Sequence, residues 1–422
     1  MKPVYIIGGY NTIAFGSGRK EFNPADKKAF AKRPHLEDYL LEAGRETLKL
    51  LDPEFSTEKP SKVAQAVDLG IITNFMAERY CKQGNLAAFI PMIHPDLQYK
   101  PAMRVEGACG SGGLGIVAGI NSISAGEADV VLVIGVEEQN SVKAVYGADY
   151  LAGAAHIKTQ RHLHAHLFPH LFSVKAGAYM QDFGQERVRK AMAQWYVNSV
   201  ENARRNPKAQ EFHNEMKDEE LLAYAMTPPD PKRFTENLNY ADCSKVTDAA
   251  SGLLLASEEG INKLGEHGAV VEIASYGTAV AAINLFDSKP ELNTTKQAVE
   301  KAFNGWKLNR DAVGYIEVHD CFSISGLLSL EAAGFAEYGG AIDLVLNDKI
   351  KKDGELPVNP TGGLVGYGHP VGATGVRQAV DIYHQLTGKA GECQIKLNKN
   401  KSFALSINMG GCDKTVTAIL YR

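Results

Sequence analysis

The sequence predicts an α/β fold with buried sheets and a mostly helical insertion. Three observations carry this expectation. Short β-branched apolar runs recur along the chain, too uniformly apolar to have a wet face. Amphipathic segments of helical spacing lie between many of them. Near the middle, from about residue 150 to 242, the strand pattern fades, and it resumes at Val246. The chain has 422 residues, 45% hydrophobic and 22% charged, enough to bury a large core in two or three domains or in one pseudo-symmetric body.

Taken in order, residues 4–7 form the first expected strand and 36–51 an amphipathic helix. A strand-like piece from Arg104 runs to Cys109, four glycines follow within six residues, and 114–125 is helical. Residues 130–136 are a strand. The insertion holds a strong helix at 185–206 and a breaker at Thr227-Pro-Pro-Asp-Pro. Beyond it, 249–264 and 374–387 read as helices, and 270–274, 313–318, 402–407 and 416–420 as strands. A glycine turn, a helix and a strand follow each other at Gly112-Gly-Leu-Gly and again at Gly372-Ala-Thr-Gly, a weak internal echo that fits a duplicated fold.

The net charge of −4 gives no reason to expect a nucleic-acid partner. No run reaches 18 apolar residues, so no membrane span is expected, and residues 1–12 carry no secretory pattern. The six cysteines are sparse, with no C-x-x-C pair, and read as reduced thiols in a cytoplasmic protein.

Cys109 stands at a strand-to-helix elbow, where the positive end of a helix favours a thiolate. Alone it is more often a small core residue; a nucleophile needs a base and an oxyanion site. Two later segments offer them. Tyr315-Ile-Glu-Val-His-Asp-Cys-Phe puts His319 and Cys321 at a strand end, on one side if the backbone stays extended. Asn359-Pro-Thr-Gly-Gly-Leu-Val-Gly-Tyr-Gly-His-Pro-Val-Gly-Ala-Thr-Gly is a loop shaped for close approach, with His369 at its tip. His156, His162, His164, His166 and His170 crowd fifteen residues, but no acidic or cysteine ligand joins them, so polar surface is expected and no metal site.

These segments resemble the signatures of the thiolase family. Cys109-Gly-Ser is similar to its nucleophile motif and Gly368-His-Pro to its Gly-His-Pro motif. His319-Asp-Cys-Phe resembles the form of its Asn-Glu-Ala-Phe box found in sterol-carrier-protein-2-type and archaeal members. Asn359-Pro-Thr-Gly-Gly, Tyr179-Met-x-x-Phe-Gly, Thr247-Asp-Ala-Ala and Ile273-Ala-Ser-Tyr-Gly-Thr extend the likeness over nearly the whole chain. One place departs: the family's C-terminal Cys-x-Gly box reads Asn408-Met-Gly, and its acid/base cysteine has moved to Cys321; Cys412 is expected to be structural.

The resemblance implies a duplicated five-layer αβαβα core. Residues 1–149 with 246–290 would form one half and 291–422 the other, with 150–245 inserted as a cover for coenzyme A (CoA). It implies acyl transfer between CoA thioesters through acyl-Cys109, by reversible Claisen condensation of acetyl-CoA or thiolysis of 3-ketoacyl-CoA. His369 would deprotonate Cys109 and, with His319, serve the enolate oxyanion. Cys321 would be the acid/base. The N–H groups of Cys109 and Gly410 would form a second oxyanion hole. Ser275 would touch the pantetheine arm, and basic residues of 158–233 the phosphates. No permanently bound cofactor is implied; acyl-CoA is the substrate, and a homodimer or homotetramer is expected, with an accessory subunit as an open alternative. Two other readings are a related acyltransferase or carbon–carbon lyase that works with a partner subunit, and a non-catalytic acyl-CoA-binding relative.

Overall fold

The computed structural model describes residues 2–265, 268–398 and 400–422. Nine strands form one sheet: β1 (Tyr5–Asn11), β2 (Leu69–Thr73), β3 (Ala102–Val105), β4 (Val130–Glu137), β5 (Ala249–Ala256), β6 (Val271–Val280), β7 (Val313–Glu317), β8 (Phe403–Gly410) and β9 (Thr415–Tyr421). Their order is β3-β2-β4-β5-β1-β6-β9-β8-β7. Only Tyr5↔Glu272 and Ile6↔Val271 join β1 to β6, so the sheet is two half-sheets touching at a narrow seam.

The halves repeat one plan. In the first, β2 runs parallel to β4, which is antiparallel to β5 and through it to β1. In the second, β7 runs parallel to β8, which is antiparallel to β9 and through it to β6. The echo at Gly112 and Gly372 lies at matching places. The helix Ser111–Ala125 feeds β4 and the helix Thr374–Leu386 precedes β8. These two helices lie between the half-sheets. Ile116, Ile120 and Ile123 of one and Val376, Ala379 and Val380 of the other share a core with residues of both half-sheets. They cross at a point where a Cβ on Gly112 would come 2.6 Å from the Gly375 amide nitrogen, so only glycine fits. The outer faces are covered separately. The helix Leu36–Lys49 lies on the first half-sheet, and Asn293–Trp306 and Ser323–Ala332 on the second. This is the five-layered duplicated core that the sequence led us to expect.

Two sequence expectations are corrected. Residues 249–264 are not one helix: 249–256 are β5, buried throughout between β4 and β1, and only Glu258–Leu264 is helical, starting at the Ser257 cap. The alanines that suggested a helix are there because two neighbouring helices press on that strand. The strand-like piece before Cys109 is shorter than expected, and β3 ends at Val105. Between Glu137 and Ala249 the described residues hold no strand. The helices Leu167–Phe183 and Gln185–Ala203 share one core with β7, β8 and β9, so this segment packs as part of the second half's outer layer.

Candidate active site

Cys109 sits just past a strained corner. Ala108 has φ 54°, the left-handed region a side chain avoids, and the chain turns there from β3 into the Ser111–Ala125 helix. The corner is braced from within, with Gly107 N–H donating to Ser111 Oγ (2.9 Å) and Ser111 Oγ to Ala108 O (2.6 Å). Cys109 is partly exposed beside an apolar wall of Phe75, Ala154 and Val371, with Leu151 and Phe168 of the insertion packed behind.

His369 is carried by a loop whose Gly368 has φ 117° and lies so near Thr247 that a Cβ would meet its hydroxyl at 2.4 Å. The loop belongs to the second half but is sewn to the first. Its Gly372 N–H donates to Glu137 Oε2 (2.9 Å), Thr73 Oγ1 donates to Gly372 O (2.7 Å), and Gln139 Nε2 donates to His369 O (2.9 Å). Leu364 N–H donates to Asp320 Oδ1 (2.7 Å), whose other oxygen takes Trp195 Nε1–H (3.0 Å). Asp320 thereby ties the His369 loop to the one bearing His319.

His319 and Cys321 lie past the end of β7 in a turn rather than on an extended strand. Ser325, in the next helix, closes that turn by donating to Phe322 O (2.7 Å) and to His319 O (3.0 Å). The Cys321 sulfur turns towards Ser325 Oγ (3.6 Å), and Ser244 N–H donates to Cys321 O (2.9 Å).

The loops converge. One side-chain atom each of Cys109, His319 and His369 lies within 4.8 Å of the other two, and the imidazoles meet edge to face at 5.1 Å. Among the described residues no other three His, Cys, Asp or Glu side chains gather so closely. Cys321 lies outside that radius of at least one member, yet close enough that Cys109 and Cys412 both push its thiol upward.

The ring nitrogens have assignable roles. Thr374 Oγ1 donates to Pro370 O (3.1 Å), so at 2.7 Å it accepts from His369 Nδ1–H. That leaves His369 Nε2 with a lone pair, buried and without a partner. Burial first, then the Arg377 charge, hold this imidazole down at about 3, so it is neutral. Burial, with His369 and Arg377 nearby, also keeps His319 neutral. The Cys109 thiol is pushed up to about 12, by burial first and then by the Glu137 charge, while backbone N–H groups of Cys109 and Gly411 facing the sulfur pull it down. The resting pair is therefore thiol and neutral imidazole.

In the C-terminal turn the Gly411 N–H, next to Gly410, lowers the Cys109 thiol. Ser275 lies outside the cluster. On β6 its hydroxyl lies where a Cβ on Gly305 would come within 2.3 Å, and it lines a groove of about 600 Å³ with Lys2, Lys301 and Trp306 that contains no member of the cluster. In the histidine-rich segment, His164 and His170 stack at 5.2 Å, and His164 Nδ1 accepts from His166 N–H (2.9 Å). Sequence reasoning missed Thr374, Ser325 and Glu137. Glu137 was legible as an acid ending an otherwise apolar buried strand.

A duplicated α/β body that brings a thiol and two neutral imidazoles together at the meeting of its loops has the groups that acyl transfer through a cysteine would need. Comparison with known proteins narrows this. The thiolase N-terminal domain profile matches residues 65–259 and the thiolase C-terminal domain-like profile residues 278–422. An acetyl-CoA acetyltransferase of Methanothermobacter thermautotrophicus is 31% identical over 84% of this chain and 88% of its own. The chain belongs to the thiolase family. Two solved structures share the fold at 17% identity. One is an Ltp2-ChsH2(DUF35) aldolase (TM-score 0.72, covering 99% of this chain and 97% of that one). The other is human mitochondrial 3-ketoacyl-CoA thiolase in complex with CoA (TM-score 0.67, 100% and 98%).

Proposed function

We propose that this thiolase carries acyl groups on Cys109, cleaving 3-ketoacyl-CoA with CoA or, in reverse, condensing acetyl-CoA with an acyl-enzyme. The observation that supports it most is the unpartnered His369 Nε2 beside the Cys109 thiol. In cleavage, the thiol proton passes to Nε2 as sulfur bonds to the keto carbon of the substrate. The C–C bond then breaks and its electron pair leaves on the acetyl-CoA enolate. Cys321, held as a thiol because burial pushes it well above its ordinary range, donates its proton to that carbon. The CoA thiol then gives its proton to the Cys321 thiolate as its sulfur bonds to the acyl carbon, the C–S bond to Cys109 breaks, and the departing Cys109 sulfur takes its proton back from His369. N–H donors at His319 would face the enolate oxygen, and those of Cys109 with the Gly410-Gly411 turn the tetrahedral oxyanion.

The substrate is acyl-CoA and no resident cofactor takes part. The apolar wall at Phe75, Ala154 and Val371 suits the acyl chain. The segment 150–245 would cover the CoA, with its basic residues meeting the phosphates. We further propose a cytoplasmic homodimer or homotetramer. Among the described residues no helix is long and apolar enough to cross a membrane, and β3 leaves one edge of the sheet unpaired with Met103 exposed on it. The aldolase of similar fold was solved with a DUF35 partner, which keeps an accessory subunit within the proposal.

The test is thiolysis of acetoacetyl-CoA with free CoA, with mass spectrometry of the protein after incubation with substrate alone. Turnover and an acetyl group on Cys109 are expected. Neither turnover nor acylation with short or long ketoacyl-CoAs would overturn the reading.

A further inference from the structure

Asn408 stands where most thiolases have a cysteine, and its surroundings give it a defined task. Its amide is fixed at both ends by backbone. Oδ1 accepts from Gly113 N–H (2.9 Å), so that atom is oxygen, and Nδ2 donates to Cys109 O (2.9 Å), so that atom is nitrogen. The same Nδ2 lies 3.3 Å from His319 Nδ1. An N–H donor there can only meet a lone pair. His319 Nδ1 must therefore be the unprotonated nitrogen, and the ring proton must sit on Nε2. Asn408 is 2% exposed and its neighbours are backbone of the elbow helix, so its amide cannot turn over without orphaning two buried groups.

We propose that Asn408 is a positioning residue that holds His319 as the Nε2–H tautomer, making it a hydrogen-bond donor to the substrate oxyanion and, by the same act, closing the Cys109–His319–His369 cluster to a divalent metal. The second half follows from the donor set. A thiol and two neutral imidazoles within 4.8 Å of one another are the ligands zinc prefers, and nothing in their spacing keeps it out. Metal ligation at His319 Nε2 would require the proton to move to Nδ1, where it would face the Asn408 N–H instead of an acceptor. A metal-bound histidine ordinarily donates its other N–H to a carboxylate or carbonyl; Asn408 presents the opposite polarity. His369 carries the converse arrangement, with Nδ1–H given to Thr374 and Nε2 left as a lone pair. The two imidazoles are thus fixed in opposite tautomers, one as base and one as donor, by one side chain each.

The inference rests on the geometry and on the oxyanion role proposed above, but its test reads the tautomer without turnover, so the two can fail separately. With ¹⁵N-histidine-labelled protein and His319→Gln to assign the resonance, long-range ¹H–¹⁵N spectra of the wild type should show His319 protonated at Nε2. In Asn408→Asp, a carboxylate oxygen replaces the donor, so the proton should move to Nδ1. Zinc should then bind at least about tenfold more tightly than to wild type and protect Cys109 from iodoacetamide, and kcat should fall about 10²-fold with KM little changed, the mark of a lost oxyanion donor. A wild-type His319 protonated at Nδ1 overturns the proposal, with or without a folded variant. So does an Asn408→Asp protein that keeps the Nε2–H form, or one whose zinc affinity equals the wild type's.

Discussion

At the scale of single residues, the chemistry turns on where protons rest. The Cys109 thiol and the His369 imidazole are both held neutral by burial, so on the proposed mechanism the thiolate would be made only when substrate arrives. Replacing Cys321 by Ala should leave acyl-Cys109 formation from acyl-CoA intact and abolish exchange of the acetyl-CoA α-protons into D₂O; exchange at the wild-type rate would remove Cys321 from the reaction. The pH dependence has a definite sign. Folded His369 titrates near 3 and an unfolded histidine near 6.5, so between these values the unfolded chain binds the extra proton. The stability attached to this residue is therefore present above about pH 6.5 and is lost on acidification, by up to about 1.4 kcal/mol per pH unit. Urea unfolding from pH 7 to 5 should show a steeper loss for the wild type than for His369→Gln; parallel slopes would mean that the imidazole is not held neutral. Cys109, His369, His319 and Cys321 were each legible from residue type and glycine setting. The direction of each ring nitrogen was not, because it depends on how the loop folds Thr374 back onto His369 and on Asn408, 89 residues from His319.

At the scale of elements, two glycine-started helices pressed back to back bring the halves together. Gly112→Ala would drive a methyl into the backbone at Gly375, and we expect a loss of about 1–3 kcal/mol in urea unfolding. Gly84→Ala is the control. Its Cβ would meet nothing nearer than Glu78 Cγ at 4.0 Å, and the change should stay within about 0.5 kcal/mol. β1, β4 and β6 to β9 were readable from the sequence as β-branched apolar runs. β2 and β5 were not: β2 is a short Leu-Gly-Ile-Ile-Thr run interrupted by glycine, and β5 is half alanine and glycine, small because it lies between β1 and β4 under close-packed helices. Its side-chain sizes answer to neighbours far away in sequence, which local propensity does not register.

At the scale of the whole molecule, a fully buried charge network fastens the His369 loop to both halves. Arg377 on the central helix pairs with Asp381 and lies 3.4 Å from Glu317 of β7. Asp381 also takes Asn11 Nδ2–H of β1 (2.9 Å) and Thr361 Oγ1–H of the His369 loop (2.8 Å). Removing one member strands the others, so Arg377→Leu should cost about 3–5 kcal/mol in chemical denaturation. A loss below 1 kcal/mol would show the network to be dispensable. By itself, the sequence determined the α/β alternation, the cysteine elbow, the glycine loop around His369 and the departure at Asn408, because each is written in contiguous residues whose backbone demands are local. What the fold added is that Ser275 packs beside Gly305, that the Gly411 N–H lowers the Cys109 thiol, and that Thr374 and Asn408 stand at the Nδ1 atoms of the two imidazoles. The physical reason is that these contacts join different elements, His319 to Asn408 of β8 across 89 residues and Cys109 to the C-terminal turn, and only the packing of two half-sheets around two helices brings such partners within reach.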